Sequence, residues 1–325
     1  MLTRRQLIVG SLAGLAGPAG LRAEAFTVDK TARLIVGFPP GGPTDTVARL
    51  LADEMKDYAP SMIVDNHPGA GGRLALLALK AAAADGSVFG FTPGDQLGLF
   101  PHVYKSLGYD PLRDFKPVTT VCTVPFAFVV GPLVPAGVTS LARFIDWCKA
   151  NPQLATYGSP GAGTLPHFLG ASLAQLAGFK FVHAPYKGGP PAVQDLLSGQ
   201  LPAGVFTLAV VLPHAQRGRL HVLATTAPQR SPMLPTVPTI REAGYPALEG
   251  LIWFGLFLPG ATPGAIVDAL NASVRRALES SALKMGLAQQ SLDVAGCSPA
   301  QLMALLKTDM QHWGELVRNA GFTPQ

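Results

Sequence analysis

The sequence predicts an α/β protein in which helices flank a largely parallel β-sheet. Three observations lead to this fold class: short β-rich runs alternate with helical segments, turns rich in Gly and Pro separate them, and the alternation restarts near residue 125. The chain has 325 residues, of which 48% are hydrophobic and 14% charged. This composition excludes a disordered chain, and the length allows two domains.

In the first part of the chain, a β-rich run at 33–38 ends at a pair of prolines. Val47, Leu51 and Met55 then recur at the spacing of one helix face, which predicts an amphipathic helix. The remaining predicted elements are a strand at 61–65, a turn at 68–72, a helix at 73–84 that ends near Gly86, and a strand at 88–91.

The second part repeats the alternation of elements without repeating the sequence. A long β-rich run at 121–130 opens it, and a Pro-rich passage occupies 228–246. Further strands are predicted at 154–157, 179–184, 205–208, 220–225 and 250–258. Helices are predicted at 140–150, 166–177, 190–198, 264–280 and 299–320.

Residues 1–25 have the features of an export signal peptide. Arg4 and Arg5 form a basic start, an apolar stretch of 15 residues follows at 7–21, and Ala23-Glu24-Ala25 forms an A-x-A cleavage site. We therefore expect the mature chain to begin at Phe26. The alternative is a retained anchor, but a spanning helix needs about 20 apolar residues. The arginine pair also fits a twin-arginine signal, and it is common in ordinary signals, so both export routes stay open.

Charge and cysteine content exclude several function classes. The net charge of +5 falls to +3 without residues 1–25, and no basic run with interleaved aromatics occurs, which argues against nucleic-acid binding. Cys122, Cys148 and Cys297 are too few for a disulfide framework and too far apart for a CxxC motif. No other apolar stretch is long enough to span a membrane.

A glycine loop at 38–45 lies between a predicted strand and helix. The unpaired N–H groups of a first helical turn and the helix dipole favour an anion there. Gly41 and Gly42 allow close approach of a ligand, and Thr44 offers a hydroxyl. The alternative is a plain strand-to-helix turn in which Asp45 caps the helix.

A second glycine loop, at 158–167, also joins a strand to a helix and also lacks Lys and Arg. No Lys-Ser/Thr pair follows its last glycine, so it is not a phosphate-binding P-loop. Ser159 precedes a proline, which excludes a G-x-S-x-G nucleophile elbow. Two uncharged glycine loops, one in each part of the chain, suggest a ligand held from both sides.

The other chemical signals are weaker. Lys187, in a third loop, is either a charge partner for an anion or a solvated side chain. The histidines form no H-x-x-x-H pair. Ser159, His183 and Asp195 include the residue types of a hydrolase triad, but any chain of this length contains such a set.

Six ordered motifs resemble the Bug family, the periplasmic solute-binding proteins of tripartite tricarboxylate transporters. The resemblance covers essentially the whole mature chain. The motifs are Phe38-Pro-Pro-Gly-Gly-Pro-Thr-Asp45, Asn66-His-Pro-Gly-Ala-Gly-Gly72, Asp85-Gly86, Ser159-Pro-Gly-Ala-Gly-Thr164 with His167, Tyr186-Lys-Gly188 and Pro238-Thr-Ile-Arg-Glu-Ala-Gly-Tyr-Pro246.

The resemblance implies a two-domain Venus-flytrap fold, each domain a mixed sheet flanked by helices. It places domain 1 at 26–125 and 251–325 and domain 2 at 126–250, joined by crossing strands that act as a hinge near 121–130 and 249–258. By analogy, a cleft between the domains is lined by Phe38, Gly41, Gly42, Thr44 and Asp45 on one wall and by Ser159, Gly161, Gly163, Thr164, His167 and Asp195 on the other.

The resemblance also implies a function. We expect a periplasmic protein that binds a small carboxylate through backbone amides and bridging waters, with no catalysis, no cofactor and no metal. It would deliver the ligand to a membrane permease or report it to a sensor, and we expect a monomer. The rival hypothesis is a secreted α/β hydrolase, in which a nucleophile, a base and an orienting group must converge.

Two stretches depart from the family pattern. Residues 201–206 lack the two acids that members commonly carry there, and 91–96 lacks the usual Gly-Thr-x-Ser. Without those acids we expect a carboxylate with an apolar body, such as an aromatic acid, rather than aspartate, glutamate or citrate. Phe206, with Phe38 and Phe91, would contact that body, unless Phe206 packs in the domain core.

Overall fold

Strands and helices alternate through residues 27–319 and 322, which the computed structural model describes. The strands are β1 (Ala32–Val36), β2 (Met62–Asn66), β3 (Val88–Pro93), β4 (Phe115–Val130), β5 (Thr156–Ser159), β6 (Val182–Pro185), β7 (Ala203–Thr207), β8 (His221–Thr225), β9 (Leu251–Pro259) and β10 (Asp293–Val294). The helices are α1 (Pro43–Glu54), α2 (Arg73–Lys80), α3 (Asp95–Gly98), α4 (Leu141–Ala150), α5 (Leu165–Ala177), α6 (Gly189–Leu197), α7 (Leu208–Gln216), α8 (Gly264–Glu279), α9 (Ser281–Gln289) and α10 (Pro299–Asn319). The predicted export signal lies outside the described residues.

The strands form one mixed sheet in the order β2-β1-β3-β9-β4-β7-β5-β6, and β8 and β10 also pair with β4. At one end β1 runs parallel to β2 and β3, and at the other β5 runs parallel to β6 and β7. The central pairs that involve β4 and β9 are antiparallel. The α/β class is confirmed, while the expected parallel pairing holds only toward the two ends of the sheet.

Strand β4 connects two lobes. We call 27–125 with 251–319 the first lobe and 126–250 the second lobe. In β4, residues up to 125 pair with β9, and residues from 126 pair with β7 and β8. The predicted hinge segments fall at this crossing, and the hinge itself stays a prediction, as do the domain boundaries.

Thr226 fastens the crossing segments to each other. Its hydroxyl accepts a hydrogen bond from the backbone N–H of Phe126 (2.9 Å), and its own N–H donates to the Phe126 carbonyl (2.9 Å). Its carbonyl accepts from the N–H of Gly250 (2.9 Å). Thr226 is fully buried. The two chain crossings therefore meet at one buried polar residue.

Several elements were not predicted correctly. Helix α7 has apolar residues on nearly all sides, so its sequence shows no helical period. The sequence therefore predicted only a strand at 205–208 in this region. Helix α9 was missed, and β4 begins at Phe115 rather than at residue 121. In the described part of the chain, no helix has the length and apolar character to span a membrane.

Candidate ligand-binding cleft

A cleft of about 680 Å³ lies between the two lobes. The first lobe contributes residues 37–39, 68–72 and Tyr104, and the second lobe contributes 160–162 and 186–188. A side pocket of about 380 Å³ adjoins it, formed by 38–44 and 187–191. Phe38, Pro39, Lys187 and Gly188 line both spaces. The cleft therefore combines loops that are distant in sequence.

Most of these loops lead directly into helices. Helices α1, α2 and α6 begin at Pro43, Arg73 and Gly189, at the edge of the lining loops. The first N–H groups of a helix have no intrahelical acceptor and carry partial positive charge. At α1, the N–H groups of Thr44 and Asp45 have no hydrogen-bond acceptor among the described residues. Helix N-termini beside a cleft suit an anion.

Asp45 shapes the first loop from behind and does not line the cleft. Its carboxylate is buried and accepts hydrogen bonds from the Gly41 N–H (2.9 Å), Arg49 Nε (2.9 Å) and Asn66 Nδ2 (2.9 Å). Burial acts to raise the pKa of this carboxyl, but these hydrogen bonds hold the pKa below its usual range. Since the Gly41 N–H already donates to Asp45, it is not free for a ligand.

Gly41 itself adopts φ +79°, a left-handed conformation that favours glycine, and nothing lies within 4 Å of a Cβ placed there. Gly42 has φ −78° and also faces open space apart from the Pro39 carbonyl at 3.5 Å. The Thr44 side chain lines the side pocket. Gly41 is therefore required by the turn, whereas Gly42 leaves room beside α1.

The second loop is held together by two hydroxyl groups. Ser159 is fully buried, and its Oγ donates to the Gly161 carbonyl (3.0 Å). The Thr164 hydroxyl donates to the same carbonyl (2.8 Å). Gly161 lines the cleft, while Gly163 has φ +74° and packs against Val103 of the first lobe. Ser159 and Thr164 thus maintain the loop, and Gly161 supplies its exposed surface.

His167 and His183 form a stacked pair beneath this loop, with ring centroids 3.9 Å apart. Nδ1 of His167 accepts a hydrogen bond from the Gly163 N–H (3.2 Å). Burial lowers the pKa of His167 to about 4, and burial with the neighbouring His167 lowers the pKa of His183 to about 3. Both imidazoles are therefore neutral near pH 7 and bring no positive charge to the site.

The three residues of the imagined triad do not assemble. His183 Nε2 lies 2.7 Å from Ser159 Oγ, but Asp195 accepts a hydrogen bond from the Tyr186 hydroxyl (2.7 Å) instead of from His183. Burial, together with the Asp195 carboxylate, raises the pKa of Tyr186 to about 12. Asp195 therefore positions Tyr186, which lines the cleft.

Phe206 is placed in the core rather than at the cleft. It is fully buried among residues of β4, α6 and α7, and Phe91 is buried in the first lobe, where its ring centroid lies 5.7 Å from that of Phe254. Of the three aromatic residues expected to contact the ligand, only Phe38 lines the cleft.

Sequence reasoning assigned no contact to several parts of the lining, among them residues 69–72, Tyr104 and Tyr186. Lys187, which the sequence offered as either a charge partner for an anion or a solvated side chain, also lines the cleft. Arg73 lies next to residues 69–72, with its guanidinium carbon 4.2 Å from the centre of the Tyr104 ring. The signal for 69–72 was present, since this glycine run also follows a strand and precedes a helix. Of the side chains described along the lining, Lys187 is the cation, and none is a carboxylate.

Histidine, cysteine and carboxylate side chains do not gather into a group of three that could hold a metal ion anywhere in residues 27–319. The described part of the cleft instead offers backbone N–H groups, prolines, aromatic rings and one lysine.

Comparison with known proteins gives a consistent result. Residues 47–322 match the family described as tripartite tricarboxylate transporter family receptor. BugT of Bordetella pertussis is 32% identical over 325 residues, which covers 98% of each chain. The periplasmic binding protein BugD superposes with a TM-score of 0.85 at 29% identity, covering 92% of this chain and 100% of its own.

Two further solved structures contain a carboxylate. MatC from Rhodopseudomonas palustris, with bound malate, has a TM-score of 0.82 at 30% identity and covers 89% of this chain and 99% of its own. A second R. palustris protein, solved with adipate, has a TM-score of 0.85 at 30% identity and covers 91% of this chain and 99% of its own.

Proposed function

This chain belongs to the tripartite tricarboxylate transporter receptor family, as its Bug-family motifs predicted, and from that premise we propose that it captures a small carboxylate in the cleft between its lobes. One observation carries the proposal: helices α1, α2 and α6 begin at the cleft lining, which contains Lys187 and no described carboxylate. Such a site favours an anion through backbone N–H groups and helix dipoles.

In this proposal the ligand carboxylate lies against the start of α1. The free N–H groups of Thr44 and Asp45 and the Thr44 hydroxyl are the donors on the first lobe. On the second lobe, Lys187 lines the same side pocket as Thr44, and Gly161 lines the adjoining cleft. Asp45, Ser159, Thr164 and His167 hold the two loops in shape, and Asp195 orients Tyr186.

The lining also restricts the rest of the ligand. An ammonium group needs a carboxylate partner in a closed cleft, since burying an unpaired charge is strongly unfavourable. Asp45 is already paired with Arg49, and Asp195 accepts from Tyr186. Phe38, Tyr104 and several prolines provide apolar surface instead. We therefore expect a carboxylate with an apolar body and no amine, for reasons that do not depend on Phe206.

The protein acts as a binding protein and not as an enzyme in this proposal. Ser159 is fully buried and its His183 partner has no carboxylate bonded to it in the described chain, so a substrate could not reach an activated nucleophile. The chain is exported through its signal peptide, works in the periplasm as a monomer, and passes its ligand to a membrane permease or a sensor. It needs no cofactor.

A thermal-shift screen of the purified protein tests this function. The library contains malate, adipate, benzoate, citrate, aspartate and glutamate, each compared with its uncharged amide at the same ionic strength. A ligand at about 100 times its Kd adds about 2.7 kcal/mol of stability. We expect stabilisation by an amine-free carboxylate and none by the matching amide.

Two results would contradict the proposal. If no carboxylate raised the melting temperature at any concentration, the cleft would not be a carboxylate site. If aspartate or glutamate stabilised the protein more than every amine-free acid, the argument from the lining would be wrong. Hydrolysis of an ester in the library would favour the rival hydrolase.

A further inference from the structure

One carboxylate joins the two lobes directly. Asp95 begins α3 in the first lobe, and its Oδ2 lies 3.4 Å from the backbone nitrogen of Leu165, the first residue of α5 in the second lobe. The Asp95 residue is only 6% exposed. Its Oδ1 is buried and has no hydrogen-bond partner in the part of the chain that the structure describes. This acid is therefore buried at a point where the two lobes meet.

Two opposing effects act on this carboxyl group. A negative charge is favourable at the N-terminus of α5, a helix of 13 residues. Burial of an ionised carboxylate is unfavourable, and here one oxygen stays unpaired and the other makes only a long hydrogen bond. Burial is the larger effect and raises the pKa of Asp95 to about 6, although the N–H groups of Leu165 and Gln96 act in the opposite direction.

The neighbouring groups do not neutralise Asp95. Tyr109 is near enough for the Asp95 charge to contribute to its raised pKa, and its hydroxyl donates to the Gln96 carbonyl. On α2, Arg73 stacks on Tyr104 and bonds to backbone carbonyls. On α5, His167 is neutral above about pH 4, and on α10, Asp309 is bonded to Trp253. His102, which follows α3, lies 2.7 Å from the Met310 carbonyl. Helix α10 also carries the titratable side chains Lys307, His312, Glu315 and Arg318.

A second contact belongs to the same interface. A Cβ placed on Gly163 would lie 2.6 Å from Cγ1 of Val103, so the second loop touches the first lobe without room for a side chain. Gly163 is two residues before Leu165, and Val103 follows α3 in the chain. Separation of the lobes would break both contacts and expose Asp95 to water.

We propose that Asp95 is an interlobe clasp: its carboxyl group docks on the N-terminus of α5 when the cleft closes, and its protonation favours the closed form. The clasp does not depend on which ligand the cleft holds. It couples closure, and with it the retention of a ligand, to the pH outside the cell membrane.

The direction of the pH dependence of closure follows from the two environments of Asp95. In an open cleft the carboxyl is solvated and has its ordinary pKa of 3.8, and in the closed form the pKa is about 6. The closed form therefore binds the proton more tightly, and closure becomes more favourable as pH falls from about 7 to about 4. The difference corresponds to a roughly hundredfold rise in the closed-to-open ratio.

Small-angle scattering without ligand tests the clasp between pH 8 and pH 4. We expect the radius of gyration of the wild-type protein to fall as the pH is lowered. Asp95→Asn, a neutral isostere of the protonated acid, should be compact throughout. Asp146→Asn, an exposed acid on α4 of the second lobe that does not line the cleft, is the matched control and should follow the wild type. A pH-independent wild-type radius, or an Asp95→Asn variant that follows the wild type, would overturn the proposal.

Carboxyl ¹³C NMR gives an answer even if Asp95→Asn fails to fold. The wild-type Asp95 resonance should titrate near pH 6. In Gly163→Val, which holds the lobes apart at Val103, the same resonance should titrate near its ordinary pH of 3.8. An ordinary pKa in the wild type would show that Asp95 is not enclosed. An unchanged raised pKa in Gly163→Val would show that the first lobe alone buries it. Either result would overturn the clasp.

Discussion

The N-termini of α1 and α5 both follow an uncharged glycine loop, yet they are in different states. At α1 the N–H groups of Thr44 and Asp45 have no acceptor among the described residues, and the Thr44 side chain faces the side pocket. At α5 the N–H of Leu165 already faces the Asp95 carboxylate from the other lobe. One helix start is therefore available to an anionic ligand, and the other is occupied by the protein's own acid.

The two loops have similar sequences, but this difference assigns ligand binding to one loop and contact between the lobes to the other. The first loop is held by Asp45, which accepts the Gly41 N–H, and its residues 38–44 line the side pocket. The second loop is held from within by Ser159 and Thr164 and presents its glycines partly to the cleft and partly to the facing lobe. In the proposed function, the first loop binds the ligand and the second also forms the closing surface.

The largest effect is expected for Gly163→Val in the second loop. A left-handed conformation costs about 1–2 kcal/mol for a residue with a Cβ, and the contact with Val103 adds about 1–3 kcal/mol of overpacking. Calorimetry with the best carboxylate of the screen should show loss of binding. Gly137→Val is the matched control, because Gly137 has no positive φ and open space around it. Full affinity in Gly163→Val would show that closure at Val103 is not needed.

Asp45→Asn should destabilise the first loop by about 1–3 kcal/mol at pH 7, since hydrogen bonds to an ionised group are lost. The pKa of Asp45 is below its usual range, so this contribution is complete above about pH 4 and is lost as pH falls through the folded-state pKa. Urea unfolding at pH 7 and pH 3 measures the difference in the free energy of unfolding between the variant and the wild type. Asp53→Asn, an exposed acid on the same helix, is the control. A difference that did not shrink at pH 3 would contradict this role.

A smaller effect is expected for Thr44→Val, which keeps the side-chain volume and removes the hydroxyl. Ligand affinity should fall by about 0.5–1.5 kcal/mol, the net contribution of one hydrogen bond. Ser159→Ala removes the corresponding hydroxyl of the second loop and should lower the melting temperature without a comparable loss of affinity, because Ser159 is fully buried. Calorimetry and thermal melts of both variants make the comparison. If Ser159→Ala lost affinity while Thr44→Val lost only thermal stability, the second loop and not the first would bind the ligand.

The smallest effect is expected for Lys187→Met. Lys187 is exposed at the rim between the cleft and the side pocket, where a charge contact contributes about 0.2–1 kcal/mol and is screened by salt. The loss of affinity should be measurable at low salt and small at high salt. Lys180 is also exposed and does not line the cleft, so Lys180→Met should leave the affinity unchanged at low and at high salt. A loss that is independent of salt would indicate a packing role for the lysine stem.

Much of this organisation could be predicted from residues alone. Periodicity located α1, and the position of both glycine loops between a strand and a helix identified the two walls. What the sequence could not show is which side of a loop or strand a side chain occupies. Phe206 and Phe91 were expected at the cleft, but alternation along a strand does not tell which face is the core. The Asp95–Leu165 contact depends on how the lobes meet, which no local pattern encodes.

The most direct test of the central claim is a two-dimensional ¹H–¹⁵N titration with the best carboxylate of the screen. We predict that the amide signals of Thr44 and Asp45, at the free start of α1, shift and saturate with the Kd measured by calorimetry. The uncharged amide of the same acid should leave these signals in place. If the Thr44 and Asp45 amides did not respond while the ligand bound elsewhere, the first loop would not be the carboxylate site.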